Sequence, residues 1–151
     1  LVPENRQEVT TEGGLDVAGQ KESLRATVGV LREGGSMVSM FIDPEEEQIR
    51  ASVEVGADMI ELHTGCFANS DQDKKSGEIM RLTAGARLGN ALGLRVNAGH
   101  GINYGNAREL FEVPHLMELN IGHSIVSRSI GTGMEEAVRE MVEIMRGYPG
   151  D

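Results

Sequence analysis

The sequence predicts an α/β fold, a single domain over residues 1–151 in which short strands alternate with helices. Four short apolar runs each end in polar residues or glycine, and a helical pattern follows each run. Such strands are typical of a buried parallel sheet, and the alternation with helices implies right-handed crossover connections. The chain has 20 glycines but only 4 prolines, and most glycines follow apolar runs, which indicates many tight turns.

The first elements run from the N-terminus to the second helix. Leu1 and Val2 lead into proline as the end of a strand does, and Val9 to Gln20 is polar and glycine-rich like a loop. The next segment predicts a helix, because apolar residues recur at helical spacing before a glycine pair, at Leu24, Val28 and Leu31. A strand over Met37 to Asp43 follows. Asp43 is then predicted as the N-cap of the second helix and Pro44 as its first residue.

Three more strand-helix units follow in order. The strands are predicted at Asp58–Gly65, Leu94–Gly99 and His115–Gly122. The connections are predicted as a polar loop at Phe67–Gly77, a helix at Gly77–Gly93, a short helix at Asn103–Val113, and a short then a long helix after His123. The long helix carries an apolar stripe that we expect to lie in the core: Met134, Val138, Met141, Val142 and Met145.

Composition excludes several classes of function. The net charge of -10 argues against nucleic acid, whose partners carry a basic face. No apolar run approaches the length of a membrane span, and no signal-peptide pattern is visible. The single cysteine, Cys66, excludes an intrachain disulfide, and the four histidines have no zinc-site spacing. No metal site is therefore expected.

Two closures of the sheet fit this pattern. One is an open doubly wound sheet; the other is a (β/α)8 barrel, of which this chain would hold a little over half. No Gly-x-Gly-x-x-Gly motif follows a first strand, which weakens the case for a dinucleotide fold. The chain also opens without a methionine, so we expect it to be truncated at the N-terminus.

The pair Gly-His occurs at the end of two successive strands, as Gly99-His100 and Gly122-His123. Glycine lets backbone N–H groups approach a ligand, and the N-terminus of a following helix favours anions, so Gly122 and His123 predict a phosphate site. His100 lies between two glycines and is a candidate proton-transfer group. Glu61 shares a strand face with Met59 and His63, where a carboxylate is costly unless it is paired or functional.

Five segments resemble the pyridoxine 5'-phosphate synthase family: LVPENRQEVTTEGGLDV, FIDPEEEQI, GADMIELHTGCFA, LRVNAGHGINYGN and ELNIGHSIVSRSI. They occur in order along the whole chain. The resemblance implies a (β/α)8 barrel, here its last four to five strand-helix units. It also implies a cytoplasmic homo-oligomeric transferase of vitamin B6 biosynthesis. Such an enzyme condenses 1-deoxy-D-xylulose 5-phosphate with 3-amino-2-oxopropyl phosphate to pyridoxine 5'-phosphate, phosphate and water, with no metal or organic cofactor.

Carried over by motif, the resemblance makes His100 the proton donor and Glu61 the group that stabilises the transition state. It assigns Gly101, Gly122 and His123 to the phosphate of the aminoketone, and Thr10 to the deoxyxylulose phosphate. One departure is Asn5, which stands where the family has lysine. The second is that the family's first three strands, with a catalytic histidine and the glutamate base, have no counterpart here.

Two other interpretations stay open. The chain could be a phosphate-binding half-barrel that needs another chain for catalysis, and an open sheet edge then predicts self-association. It could also be another phosphosugar enzyme, but an aldolase would favour a lysine at a strand end. Lys21, Lys74 and Lys75 all fall in predicted loop or helix regions.

Overall fold

A computed structural model describes residues 1–3 and 13–150, and the expectations for Thr10 and Asn5 therefore lie outside the described residues. Its sheet consists of β1 (Ser39–Ile42), β2 (Met59–His63), β3 (Arg95–Gly99) and β4 (Leu116–Asn120). Every neighbouring pair is parallel, in the order β1-β2-β3-β4. The predicted α/β class is confirmed. Strands that add one after another in one direction match consecutive barrel strands, whereas a doubly wound sheet reverses its order.

Six α-helices occur in the described part of the chain: α1 (Lys21–Glu33), α2 (Glu46–Glu54), α3 (Gly65–Asn69), α4 (Gln72–Ala91), α5 (His123–Thr132) and α6 (Met134–Met145). The prediction of a loop over Phe67–Gly77 is wrong. Asp71 is extended and its carbonyl accepts the amides of Lys74 and Lys75, so the polar segment begins α4 instead. Cys66 correspondingly lies in α3 and is exposed.

The connection between β3 and β4 also differs from the prediction. A 3₁₀ helix at Ala107–Glu112 replaces the helix expected over Asn103–Val113. The reason is local, because asparagine side chains compete for the main chain here. The Asn103 side chain accepts the amides of Gly105 and Asn106, and the Asn106 side chain accepts the amide of Asn103.

Asp43 does not cap α2, contrary to the prediction. The helix begins at Glu46, and the extended residue Glu45 occupies the N-cap position. The Asp43 carboxylate turns instead towards the sheet, where Oδ2 accepts the amide of Gly14 at 3.2 Å and Oδ1 lies 2.9 Å from His63 Nδ1. A residue predicted to begin a helix therefore contacts the end of β2.

The two faces of the sheet have different surroundings. Side chains of one face, including Met40, Ile42, Ile60, Leu62 and Val96, are buried against the helices and form the core. The other face carries Phe41, Glu61, His63 and Asn97, in register across β1, β2 and β3. The predicted alternation along β2 is confirmed. Leu1 lies beside β1, because its carbonyl accepts the Phe41 amide at 2.9 Å.

The apolar stripe of α6 is only partly core, which corrects the prediction. Met141 is 2% exposed and Met145 packs against the core. Met134, Val138 and Val142 are 52%, 41% and 44% exposed, and Ile130 of the adjacent α5 is 86% exposed. The apolar stripe is wider than the part of α6 that packs against the core, so Met134, Val138 and Val142 remain exposed. No helix within residues 1–3 and 13–150 has both the length and the apolar character of a membrane span.

Candidate active site

The polar residues at the carboxyl ends of β2, β3 and β4 meet around one cavity, as the sequence predicted. We call it the strand-end cavity; its volume is about 730 Å³. Its lining includes five of the six residues predicted as site residues: Glu61, His100, Gly101, Gly122 and His123. Phe41 of β1 and Asn120 of β4 complete the wall around Glu61. Parallel strands place their carboxyl ends at the same edge of a sheet, which is why residues as far apart in sequence as Phe41 and His123 converge there.

The first Gly-His pair adopts an unusual backbone. His100 has φ 85°, in the left-handed region that side chains other than glycine rarely occupy, and Gly101 follows with φ 75°. A Cβ on Gly101 would also meet the Cβ of Ala68 at 2.5 Å. This turn directs His100 to the strand-end cavity. Burial lowers the pKa of His100, and the nearby charges of His63 and His123 lower it further.

The second Gly-His pair begins a helix at the strand-end cavity. Gly122 is the N-cap of α5 and His123 is its first residue. Among the described residues, no atom lies within 4 Å of the position that a Gly122 Cβ would take, so the main chain here is open to a ligand. The first amides of a helix lack intrahelical partners and carry a positive partial charge. The arrangement suits an anion such as phosphate.

Glu61 reaches this edge of the sheet from β2. Its Oε2 accepts the side-chain amide of Asn120 at 2.8 Å. Partial burial raises the pKa of Glu61, and the charge of Glu118 raises it further, while the Asn120 hydrogen bond acts in the opposite direction. The carboxylate is therefore held in place and still open to the strand-end cavity. It can stabilise positive charge that develops on a bound molecule.

Three further residues lie beside this site and are not among the predicted site residues. His63 is 5% exposed, and its ring contacts His100 with centroids 5.1 Å apart. Thr64 is fully buried, and its hydroxyl lies 2.6 Å from the His100 carbonyl oxygen. The third residue is Asp43, whose Oδ1 lies 2.9 Å from His63 Nδ1. The sequence signal was the polar run His63-Thr64 at a strand end, but local sequence favours a turn or cap for such residues.

Other candidates lie elsewhere. His115 precedes β4 at the opposite end of the sheet, as predicted. Cys66 is not among the residues that line the strand-end cavity. Lys21 lies in α1 and Lys74 and Lys75 lie in α4, so none of them stands at a strand end. Thr10 remains a prediction.

Comparison of this chain with known proteins identifies the family to which it belongs. The family model described as pyridoxal phosphate biosynthesis protein PdxJ matches residues 1–147. The chain belongs to the PdxJ family. The predicted family resemblance is thereby confirmed over nearly the full length of the chain.

Three curated relatives of this PdxJ chain are named pyridoxine 5'-phosphate synthase. Those of Akkermansia muciniphila and Opitutus terrae are each 54% identical, over 142 and 143 residues, which is 93% of this chain and 58% of each relative. That of Geobacter sulfurreducens is 50% identical over 147 residues, which is 97% of this chain and 62% of the relative. The PdxJ chain thus spans less than two thirds of the length of these relatives.

Proposed function

We propose that this chain supplies the phosphate-binding and proton-donating part of a pyridoxine 5'-phosphate synthase active site. The enzyme would condense 1-deoxy-D-xylulose 5-phosphate with 3-amino-2-oxopropyl phosphate, releasing phosphate and water. The observation that carries the proposal is the convergence of Glu61, His100, Gly101, Gly122 and His123 on the strand-end cavity of a PdxJ chain. The protein would act in the cytoplasm as a homo-oligomer, without a metal or organic cofactor.

In this proposal the phosphate of the aminoketone lies against Gly101, Gly122 and His123. The open main chain at Gly122 and the N-terminus of α5 supply amide donors, and His123 adds an imidazole. Thr10 would contact the sugar phosphate. These groups orient the substrate, so that its reacting atoms lie near His100.

His100 would protonate the oxygen that leaves as water. Its lowered pKa makes the neutral imidazole the main form near neutral pH, so it must gain a proton before it can donate one. A bound phosphate dianion near His100 favours the imidazolium, because opposite charges stabilise each other. Substrate binding would therefore prepare the donor. Glu61 would stabilise the cationic intermediates that form as water leaves.

The decisive experiment measures formation of pyridoxine 5'-phosphate by its absorbance. The 151-residue chain is mixed with both substrates, alone and together with the segment of the A. muciniphila synthase that this chain does not match. His100→Asn should lower turnover about 100-fold or more. His115→Asn is the matched control, since both histidines have positive φ and His115 lies at the other end of β4. Turnover of His100→Asn close to that of the parent would overturn the assignment.

A second candidate function is phosphate binding without catalysis by this chain alone. It is supported by the open main chain at Gly122 and the N-terminus of α5, which suit an anion independently of any proton transfer by His100. The same experiment separates the two. Product from the chain alone supports a complete catalytic site, whereas product only after the complementary segment is added supports a part that needs another chain.

A further inference from the structure

The main chain at His100 requires support from outside its own segment. A left-handed residue other than glycine is strained and persists only where its surroundings fix it. The φ of 85° at His100 places it in this class. The flanking glycines give the turn freedom but cannot hold it. The residues that hold His100 are His63, the last residue of the neighbouring strand β2, and Thr64, which follows it.

Thr64 contacts both peptide groups that define the backbone of His100. Its Oγ1 lies 2.7 Å from the Gly99 carbonyl oxygen and 2.6 Å from that of His100, and its amide donates to Gly99 O at 2.9 Å. Those two carbonyls belong to the peptides on either side of the His100 Cα, so the hydroxyl restrains both φ and ψ. Thr64 is the N-cap of α3, yet its side chain does not cap that helix. The hydroxyl contacts the main chain on both sides of the His100 Cα instead.

His63 contacts the imidazole of His100. The two rings meet edge to face at 5.1 Å, and Phe41 contacts His63 at 5.2 Å and His100 at 6.4 Å. Asp43 Oδ1 accepts a hydrogen bond from His63 Nδ1, which fixes the orientation of the His63 ring. Gly65 leaves room for that ring, because a Cβ there would collide with His63 Nε2.

The His63 ring is retained at a cost. Its Nε2 is buried and has no hydrogen-bond partner among the described residues. A buried polar atom without a partner destabilises the fold, so an apolar ring would be favoured at this position for stability alone. Core packing does not explain an imidazole at this position, whereas its contact with the His100 ring does.

We propose that Thr64 and His63, with Asp43 holding His63, are positioning residues that direct the imidazole of His100 into the strand-end cavity. The proposal rests on the proposed role of His100 in proton transfer. Thr64 sets the main chain, and His63 restricts the side chain. Neither residue lines the strand-end cavity, so both act through His100.

The test uses two matched pairs in the preparation that forms product. Thr64→Val removes the hydroxyl and keeps the shape, whereas Thr64→Ser keeps the hydroxyl. His63→Ala removes the ring, whereas His63→Phe keeps an aromatic ring. We expect Thr64→Val and His63→Ala to lower kcat about 10-fold or more with KM nearly unchanged, since small displacements of a reacting group cost that much. Thr64→Ser should recover most of the loss, whereas His63→Phe keeps the ring but cannot bond Asp43 and should recover only part of it.

Two readouts separate this proposal from a structural role and from failure of the proposed function. The NMR signal of the His100 ring, assigned by its loss in His100→Asn, should shift in Thr64→Val and stay in place in Thr64→Ser; this needs no turnover and no extra segment. If His100→Asn loses activity but both disruptive variants keep kcat and the ring signal, the positioning proposal is overturned. If His100→Asn keeps activity while the ring signal shifts, the proposed function fails and positioning stands. Should Thr64→Val not fold, the His63 pair and the ring signal of Asp43→Ala decide the question, with an unchanged signal and kcat counting against it.

Discussion

Glu61 on β2 and Asn120 on β4 are joined by a hydrogen bond of 2.8 Å across the intervening strand β3. The bond passes over Gly99, the residue of β3 that pairs with both His63 and Asn120. A Cβ at Gly99 would collide with Glu61 Oε1 and lie 3.1 Å from the Cβ of Asn120. The glycine of the first Gly-His pair therefore leaves the room that the Glu61 carboxylate occupies.

Gly99→Ala should destabilise the protein by about 1–3 kcal/mol, because an extra methyl group is forced into filled space. Chemical denaturation measures the free energy of unfolding. Gly122→Ala is the control for stability, since no atom of residues 1–3 and 13–150 lies within 4 Å of its Cβ position and its φ is -109°. Combining Gly99→Ala with Glu61→Ala should remove most of the loss. Equal stability of the two single glycine variants would contradict this account.

Glu61→Gln should stabilise the protein at neutral pH. Because the folded state raises the pKa of Glu61, ionising it costs stability as pH rises through that pKa. Glutamine cannot ionise and can still accept the Asn120 amide. We expect the melting temperature of the variant to match that of the parent near pH 4 and to exceed it at pH 7. The gain should stay below about 1 kcal/mol, because water screens a partly exposed carboxylate. A gain that is larger at pH 4 than at pH 7 would refute the sign of the shift.

Gly101→Ala should cost more stability than Gly35→Ala. Both glycines have positive φ, 75° and 82°, so alanine is strained by about 1–2 kcal/mol at either position. A Cβ at Gly101 would lie 2.5 Å from the Cβ of Ala68. At Gly35, no atom of the described residues lies within 4 Å of the Cβ position. The difference between the two variants isolates the steric contact. Thermal unfolding of both in parallel is sufficient, and indistinguishable losses would show that the contact with Ala68 relaxes freely.

His123→Ala should weaken the binding of inorganic phosphate about 10-fold, because a hydrogen bond to a charged group contributes about 1.5–3 kcal/mol. Isothermal titration calorimetry of the 151-residue chain measures this. His115→Ala serves as the control, since His115 lies at the far end of β4. Parent-like phosphate affinity in His123→Ala would place the anion elsewhere.

The exposed apolar side of α5 and α6 predicts self-association of the isolated chain. Ile130 is 86% exposed and Met134 52%, and contiguous apolar surface of this kind favours association. Analytical ultracentrifugation should show species larger than the monomer, and Ile130→Lys with Val138→Lys should shift the distribution towards the monomer. A monomeric parent with a cooperative melting transition would contradict this expectation.

Much of the site followed from the sequence because its residues belong to the strand ends themselves. The apolar runs fix the strands, period-two alternation puts Glu61 and His63 on one face, and parallel strands bring their ends together. His100, Gly101, Gly122 and His123 could be placed at one edge on that basis. The resemblance of five ordered segments then named the family that the comparison confirmed.

What the sequence by itself determined is the order of elements, the class of fold and the edge of the sheet at which the chemistry would lie. These depend on local patterns of polarity and on the geometry of parallel strands. Only the tertiary structure decided which residues support that chemistry. Asp43 reads locally as a helix cap and Thr64 as a turn residue, yet Asp43 bonds His63 across 20 residues and Thr64 bonds His100 across 36. Such partners depend on strand register and on the room left at Gly65 for the His63 ring, which no local pattern records.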